Sequence, residues 1–188
     1  LASDLTTVFA EALAHLGQGA TNPGSPWRNL ALASVGLDGA PQIRTVVLRS
    51  FDSAARRLDV HTDTRSTKHA ELTANPFAAL HGWDSATHIQ LRASGGVTLH
   101  NRDVVAAQAW ADLRPASRAT YRVRPGPGTK IEHPESLAQG DDADGYACFC
   151  VVRLHLARLE YLHLGQTSHR RARFEWADGA RIATWLVP

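Results

Sequence analysis

Three short runs of this sequence carry side chains from which chemistry could be built. The first is Arg44-Thr45-Val46-Val47-Leu48-Arg49. Period-two alternation puts Arg44, Val46 and Leu48 on one face of a strand and Arg49 on the other. Two cations in such a strand suit an anion-binding wall, or an edge strand whose arginines are solvated. The second run is His61-Thr62-Asp63-Thr64-Arg65-Ser66-Thr67-Lys68. Here a strand ends, a polar loop follows, and a helix starts near Ser66 or Thr67. Free N–H groups at a helix start, the hydroxyls of Thr62, Ser66 and Thr67, and the Lys68 ammonium together describe a phosphate cradle. The same residues also describe a plain helix cap with solvent-facing polar groups. The third run is His169-Arg170-Arg171-Ala172-Arg173-Phe174. Arg171 and Arg173 share a side at period two, either to pair with phosphate or to form a solvated strand face.

Other chemistries lack their residues. No Gly-Lys-Ser/Thr phosphate loop supports a nucleoside triphosphatase. The ten histidines are scattered without a His-Glu-x-x-His pattern, so no hydrolytic metal site is expected. Neither a Gly-x-Ser-x-Gly elbow nor a Gly-x-Gly-x-x-Gly turn is present. Cys148 and Cys150 stand i, i+2 in an apolar run, which predicts one strand face and no bridge between them. Two buried thiols point to a reducing compartment, and so to a cytoplasmic protein.

The elements that must position these residues can be read from periodicity. Leu5, Val8, Phe9, Ala12, Leu13 and Leu16 predict an amphipathic first helix, with Ser3 able to cap it and Gly17 to stop it. Strands follow over 29–35 and 42–50, joined by an Asp38-Gly39 hairpin, and over 57–62. A short helix over 68–75 closes at Asn75-Pro76. Strands over 77–83 and 88–100 come next, and Gly95-Gly96 marks a bulge or close backbone approach. Asn101 is expected to cap a helix running to Leu113, with Asp103 in its first turn. Residues 114–121 add a further turn, 122–144 read as a mobile loop, and 147–156, 159–164, 169–176 and 181–186 as the last strands. Asp178-Gly179 supplies a turn. The order is not strict βαβ alternation, so an antiparallel barrel with helices packed outside is the economical fold.

Composition sets the bounds. The chain has 188 residues, 44% hydrophobic and 20% charged, enough for one domain with one core. Twenty basic residues against 18 acidic leave a net charge of +2, too balanced for a protein whose main partner is bulk nucleic acid. Of the basic residues only Lys68 and Lys130 are lysines, and arginine favours bidentate contact with carboxylate or phosphate. No run reaches the roughly 18 apolar residues of a membrane span. The first 16 residues hold acids but no basic segment, unlike a signal peptide.

In order, the segments PQIRTVVLRS, LDVHTDTRSTKHAELTANPFAAL, HIQLRASG, LRPAS and LEYLHLGQTSHRRARF, then ATWLVP, resemble the pyridoxamine 5'-phosphate oxidase family of FMN-binding split barrels. The resemblance runs from about Trp27 to Pro188. It implies a mainly β fold, a split antiparallel barrel with flanking helices, as a single domain over residues 1–188. It also implies FMN as cofactor, and a homodimer with FMN at the subunit interface. By resemblance, Arg44–Arg49 (Arg44, Thr45, Val46, Val47, Leu48 and Arg49) runs beside the flavin, with Arg44 near its phosphate. His61 and Thr62 match a pair that touches the cofactor, and Ser66, Thr67 and Lys68 match the phosphate segment. Gln90 matches a glutamine that reaches the ring from the partner subunit, and Arg173 an arginine near the cofactor.

The departures fall at the cofactor's phosphate segment and at the family's substrate positions. Thr67 stands where the family has arginine. His169 and Arg171 replace two residues of the terminal motif, Leu162 replaces a tryptophan over the flavin, and Trp110 replaces a tyrosine. Arg114 and Ser117 match the remaining substrate-phosphate positions, one residue short in spacing. The resemblance thus implies flavin-dependent redox chemistry on a small molecule, with Arg49 and Arg173 as cations for the reduced ring. Three other readings stay open: a pyridoxamine phosphate oxidase with a rebuilt pocket, a binding or sensor protein for flavin or haem, and a nucleic-acid binder using Arg118–Arg124. A deazaflavin in place of FMN is also compatible with these residues.

Overall fold

The computed structural model describes residues 4–177 and 179–188. In chain order the elements are α1 Leu5–Thr21, β1 Asn29–Val35, β2 Pro41–Asp52, β3 Arg57–Asp63, α2 Thr67–Ala74, β4 Phe77–Asp84 and β5 Ile89–His100. They continue with α3 Val104–Ala111, α4 Pro115–Arg122, β6 Val123–Arg124, β7 Ala138–Gln139, α5 Asp142–Cys148, β8 Phe149–Leu164, β9 His169–Ala177 and β10 Ala180–Leu186. Eight strands form one antiparallel sheet in the order β10-β9-β8-β3-β2-β1-β4-β5, and β5 returns to pair with β8. Six strands therefore close into a barrel, and β9 and β10 extend from it.

Alternation explains the core. Leu30 and Leu32 of β1, Val46 and Leu48 of β2, Leu58 and Val60 of β3, and Leu91 and Ala93 of β5 all point inward and are buried. Trp27 is also fully buried, against Gly82 of β4 and the end of α1. The α1 face of Val8, Ala12 and Leu16 joins the same core, and Phe9 packs on Phe174 at 4.9 Å between ring centres. Each such aliphatic side chain contributes about 1.5–3 kcal/mol by leaving water.

The Asp38-Gly39 turn forms as expected, with Gly39 at φ 81° and Asp38 Oδ1 accepting from the Ala40 N–H. Several boundaries differ. Asp4 caps α1 by accepting from the Thr7 N–H, the expected cap Ser3 lies outside the described residues, and α1 runs through Gly17 to Thr21. Asp103, not Asn101, caps α3, and Asn101 instead donates to the Phe149 carbonyl at 2.6 Å. That helix ends at Ala111, and α4 makes two turns rather than one. Cys148 closes α5 while Cys150 lies in β8, so the two thiols, both free and buried, do not share a strand. Residues 122–144 include the β6–β7 pair, a 3₁₀ turn at Pro134–Ser136 and the start of α5. The Arg118–Arg124 run spends its charge internally: Arg118 and Arg122 pair with Asp142, and Arg124 with Asp144. Asp178 of the last hairpin lies outside the described residues. No described helix is long and apolar enough to cross a membrane.

Candidate functional site

The barrel opens between β2 and β3. Their paired residues run from Asp52↔Arg57 to Leu48↔Val60 and stop there. Beyond that point β2 pairs with β1 alone, and His61–Asp63 of β3 pair with β8 alone. Arg44–Val47 thus form one lip of a split, with main-chain groups that have no ladder partner across it. His61, Thr62 and the start of α2 form the other lip.

Hydrogen-bond donors gather on the inner side of the split. Thr62 Oγ1 lies 3.0 Å from Ser66 Oγ and accepts from Lys68 Nζ at 3.0 Å. Ser66 stands at the cap position of α2, but its hydroxyl donates to the Asp63 carbonyl rather than closing the helix end. The first N–H groups of α2 therefore remain available to an anion. Thr67 is exposed. Burial holds the Lys68 ammonium below the usual lysine range, and the nearby Arg44 charge pushes the same way. Arg44 itself contacts Ser34 Oγ and pairs with Glu71 at 2.6 Å. Val46 and Leu48 are core residues, so only their main chain faces the split, and Thr45 and Val47 point outward.

On the outer side a cavity of about 700 Å³ lies between β2, β3 and the helices α3 and α4. Arg49 and His61 enter it from the strands, Arg114 and Ser117 from the α4 end, and Val105 and Leu113 give it apolar wall. Arg28 enters from the segment before β1, anchored by its Nη1 to the carbonyls of Gly19, Ala20 and Leu48. Among the described residues, Arg28, Arg49 and Arg114 form no ion pair. The carboxylates that line the same cavity are otherwise engaged: Asp59 holds Arg153 through two bonds of 2.9 and 2.8 Å, and Asp112 accepts from Gln108. Burial lowers the Arg28 pKa, and the charges of Arg49 and Arg114 lower it further. Arg49 Nε and His61 Nδ1 are buried without a hydrogen-bond partner among the described residues. Trp110 does not enter this cavity. It packs behind it against Phe149, Tyr121 and Tyr146, 9% exposed.

His61 stacks edge-on against Phe149, and its pKa is lowered to about 4, first by burial and then by the Arg49 charge. It is therefore neutral at neutral pH. Because the folded pKa lies below the ordinary 6.5, the unfolded chain binds the extra proton first. Stability contributed by neutral His61 is present above pH 6.5 and is lost as pH falls through about 4. Denaturant unfolding across that window is expected to show a shallower stability slope in His61→Phe than in the wild type.

The remaining sequence-read residues lie elsewhere. Gln90 of β5 sits in register between Trp83 and Leu162, its Oε1 3.2 Å from His81 Nε2. Arg171 and Arg173 of β9 both reach Glu160 of β8, at 2.8 and 3.0 Å, and Arg92 approaches it at 3.4 Å. Burial opposes ionisation of Glu160, but the bonds from Arg171 and Arg173 outweigh it and its carboxyl sits below the usual range. His169 is exposed at the start of β9. None of these residues lines the Arg49–His61 cavity. One chain therefore carries two separate clusters. Sequence reasoning missed Arg28, Glu71 and Glu160. Only Glu71 left a signal, as a carboxylate one helical turn after Lys68.

The profile of the pyridoxamine 5'-phosphate oxidase FMN-binding domain matches residues 7–101. A pyridoxine/pyridoxamine 5'-phosphate oxidase 2 of Arabidopsis thaliana is 32% identical over 164 residues, covering 82% of each chain. The chain belongs to the pyridoxamine 5'-phosphate oxidase family. A further member of this family, the pyridoxine/pyridoxamine 5'-phosphate oxidase of Xanthomonas campestris pv. campestris, is 30% identical over 166 residues, covering 79% of this chain and 82% of that one. Among solved structures, a pyridoxamine 5'-phosphate oxidase-related, FMN-binding protein from Nostoc punctiforme superposes with a TM-score of 0.81 at 25% identity, covering 96% of this chain and 97% of that one. The fold is accordingly the family's split barrel, and FMN is the cofactor of its domain. The residues present suit that cofactor: a hydroxyl, ammonium and helix-start cluster for a phosphate, and a roomy cavity with apolar walls and unspent buried donors for a ring.

Proposed function

We propose that this chain is an FMN-dependent oxidoreductase for a small acidic substrate, and that it works as a homodimer. The observation that carries the reading is the cavity in which Arg28, Arg49 and Arg114 face one another without carboxylate partners. Like charges held together in a half-buried site are costly unless an anion completes them. On this reading Arg44, Ser66, Thr67, Lys68 and the main chain of Thr45–Leu48 hold the flavin phosphate and its chain at the split. His61, Thr62 and Arg49 meet the ring side. Arg114, Ser117 and Arg28 receive the substrate's acidic group, with Trp110 fixing α3 and α4 behind them.

The second cluster completes the site from the partner subunit. Gln90 and Arg173 reach the ring edge, and His169 and Arg171 border the substrate. This division explains why one chain keeps the two clusters apart. The names of the relatives make pyridoxamine or pyridoxine 5'-phosphate one member of the proposed acid class. His169 and Arg171 favour a different member.

FMN supplies the hydride or electron transfer when bound. The chain's own work is to orient the ring, exclude water and set its charge environment. Neutral His61 gives a hydrogen-bonding wall without added charge. Arg49 and Arg173 place cations beside the ring, which favour the reduced, anionic form. Replacing both with glutamine is expected to shift the flavin midpoint potential negative by about 30 mV or more, the equivalent of a tenfold change for two electrons. An unchanged potential, together with unchanged flavin binding, would remove them from the site.

A further inference from the structure

Glu71 is a buried carboxylate in the middle of the donors assigned to the flavin phosphate. It is 2% exposed, and its Oε2 accepts from Ser34 Oγ at 2.6 Å and from Arg44 Nη2 at 2.6 Å. Arg44 also contacts Ser34 through Nη1. This triangle ties β1, β2 and α2 together and balances the Arg44 charge before any anion arrives. The other cations of the loop add little. Arg65 is spent on Asp63 and on the carbonyls of Tyr121 and Val123. Thr67 brings a hydroxyl and no charge. Among the described residues, Lys68 is left as the cation whose one hydrogen-bond partner is a hydroxyl, that of Thr62. Among the described residues, a phosphate dianion placed there meets one cation without an ion pair, Lys68, and the Glu71 carboxylate.

We propose that Glu71 limits the affinity of the flavin phosphate subsite: its carboxylate competes with the phosphate for Arg44, so the chain holds FMN less tightly, and exchanges it more readily, than its donors alone would allow. The inference rests on the placement of the phosphate proposed above. It makes Glu71 a residue that sets how far the chain prefers FMN to riboflavin, which has the same ring and no phosphate.

The test is the dissociation constant of FMN and of riboflavin for the full chain, by quenching of flavin fluorescence at low salt. Glu71→Gln keeps the size of the side chain and an oxygen acceptor for Ser34 and Arg44, but removes the charge. It is expected to tighten FMN about tenfold and leave riboflavin within about twofold, the size expected when one charged contact is released. An unchanged or reduced preference for FMN overturns the proposal and leaves Glu71 as a residue that only orients Arg44. If the single variant does not fold, removing both charges together with Arg44→Gln and Glu71→Gln answers the same question. The pair binds FMN like the wild type if Arg44 is already neutralised, and about tenfold more weakly if Arg44 is a fully working phosphate ligand. Failure of the placement itself looks different: the wild type then shows no preference for FMN over riboflavin, and Lys68→Met changes neither.

Discussion

Lys68→Met is expected to weaken FMN binding by roughly 10- to 100-fold and to leave riboflavin binding within about twofold. Among the described residues, Lys68 Nζ has a single hydrogen bond, to Thr62 Oγ1 at 3.0 Å, and it sits at the first turn of α2 beside the split. Its two further N–H donors are free for an anion. A hydrogen bond to a charged group contributes about 1.5–3 kcal/mol, and 1.4 kcal/mol is tenfold in affinity. Burial and the Arg44 charge already press the ammonium toward its neutral form, so a dianion that reverses this pressure gains on both counts. Methionine keeps the length and apolar stem of the side chain, so the loss reports charge rather than packing. Flavin fluorescence titration with both ligands makes the measurement. Equal losses for FMN and riboflavin would place Lys68 at the ring or in the fold, not at the phosphate.

The largest effect on stability is expected at Gly95. Here β5 pairs with β8 across a bulge, the register shifting between Ser94 and Gly95, and a Cβ at position 95 would lie 1.9 Å from the His155 carbonyl oxygen. That contact is with main chain, so no rotamer can relieve it. Gly95→Ala must push the β5–β8 seam apart, and this seam closes the barrel. Overpacking of this kind costs about 3 kcal/mol, which for a chain of this size lowers the melting temperature by about 6–12 °C. Gly96→Ala is the internal control, because a Cβ there meets nothing closer than the Pro76 carbonyl at 3.9 Å. It is expected to cost less than about 1 kcal/mol. Equal melting temperatures for the two variants would contradict the close approach described at the β5–β8 bulge.

The contrast between these glycines shows what was legible in the sequence. The Gly95-Gly96 pair announces a bulge, but only the β5–β8 register tells which glycine is needed. The Asp38-Gly39 hairpin, the strands from Asn29 to Asp63 and the start of α2 are local signals, and they form close to the expected places. Strand β8 was hidden because its alternation changes phase at Ala157 and Arg158, both exposed, where it exchanges β3 for β9 as a neighbour. Two apolar runs with a break between them describe that exchange as two strands. The same limit applies to the site. Arg44, His61 and Lys68 stand in motifs and were read from them. Glu71 meets Ser34 across 37 positions, and Glu160 meets Arg92 across 68, so neither pairing leaves a spacing to read. Arg28 follows a core tryptophan with no motif around it, and its role emerges only when α4 brings Arg114 to the same cavity.

The central claim is that each chain supplies two parts of a flavin site that meet only across a dimer. The most direct test is the mass of the purified protein in solution with the visible spectrum recorded during FMN titration. The expected result is a dimer that develops bound-flavin bands at about 370 and 450 nm and saturates at one FMN per chain. A colourless monomer that ignores FMN would contradict it, and so would a monomer that binds FMN as tightly as the dimer.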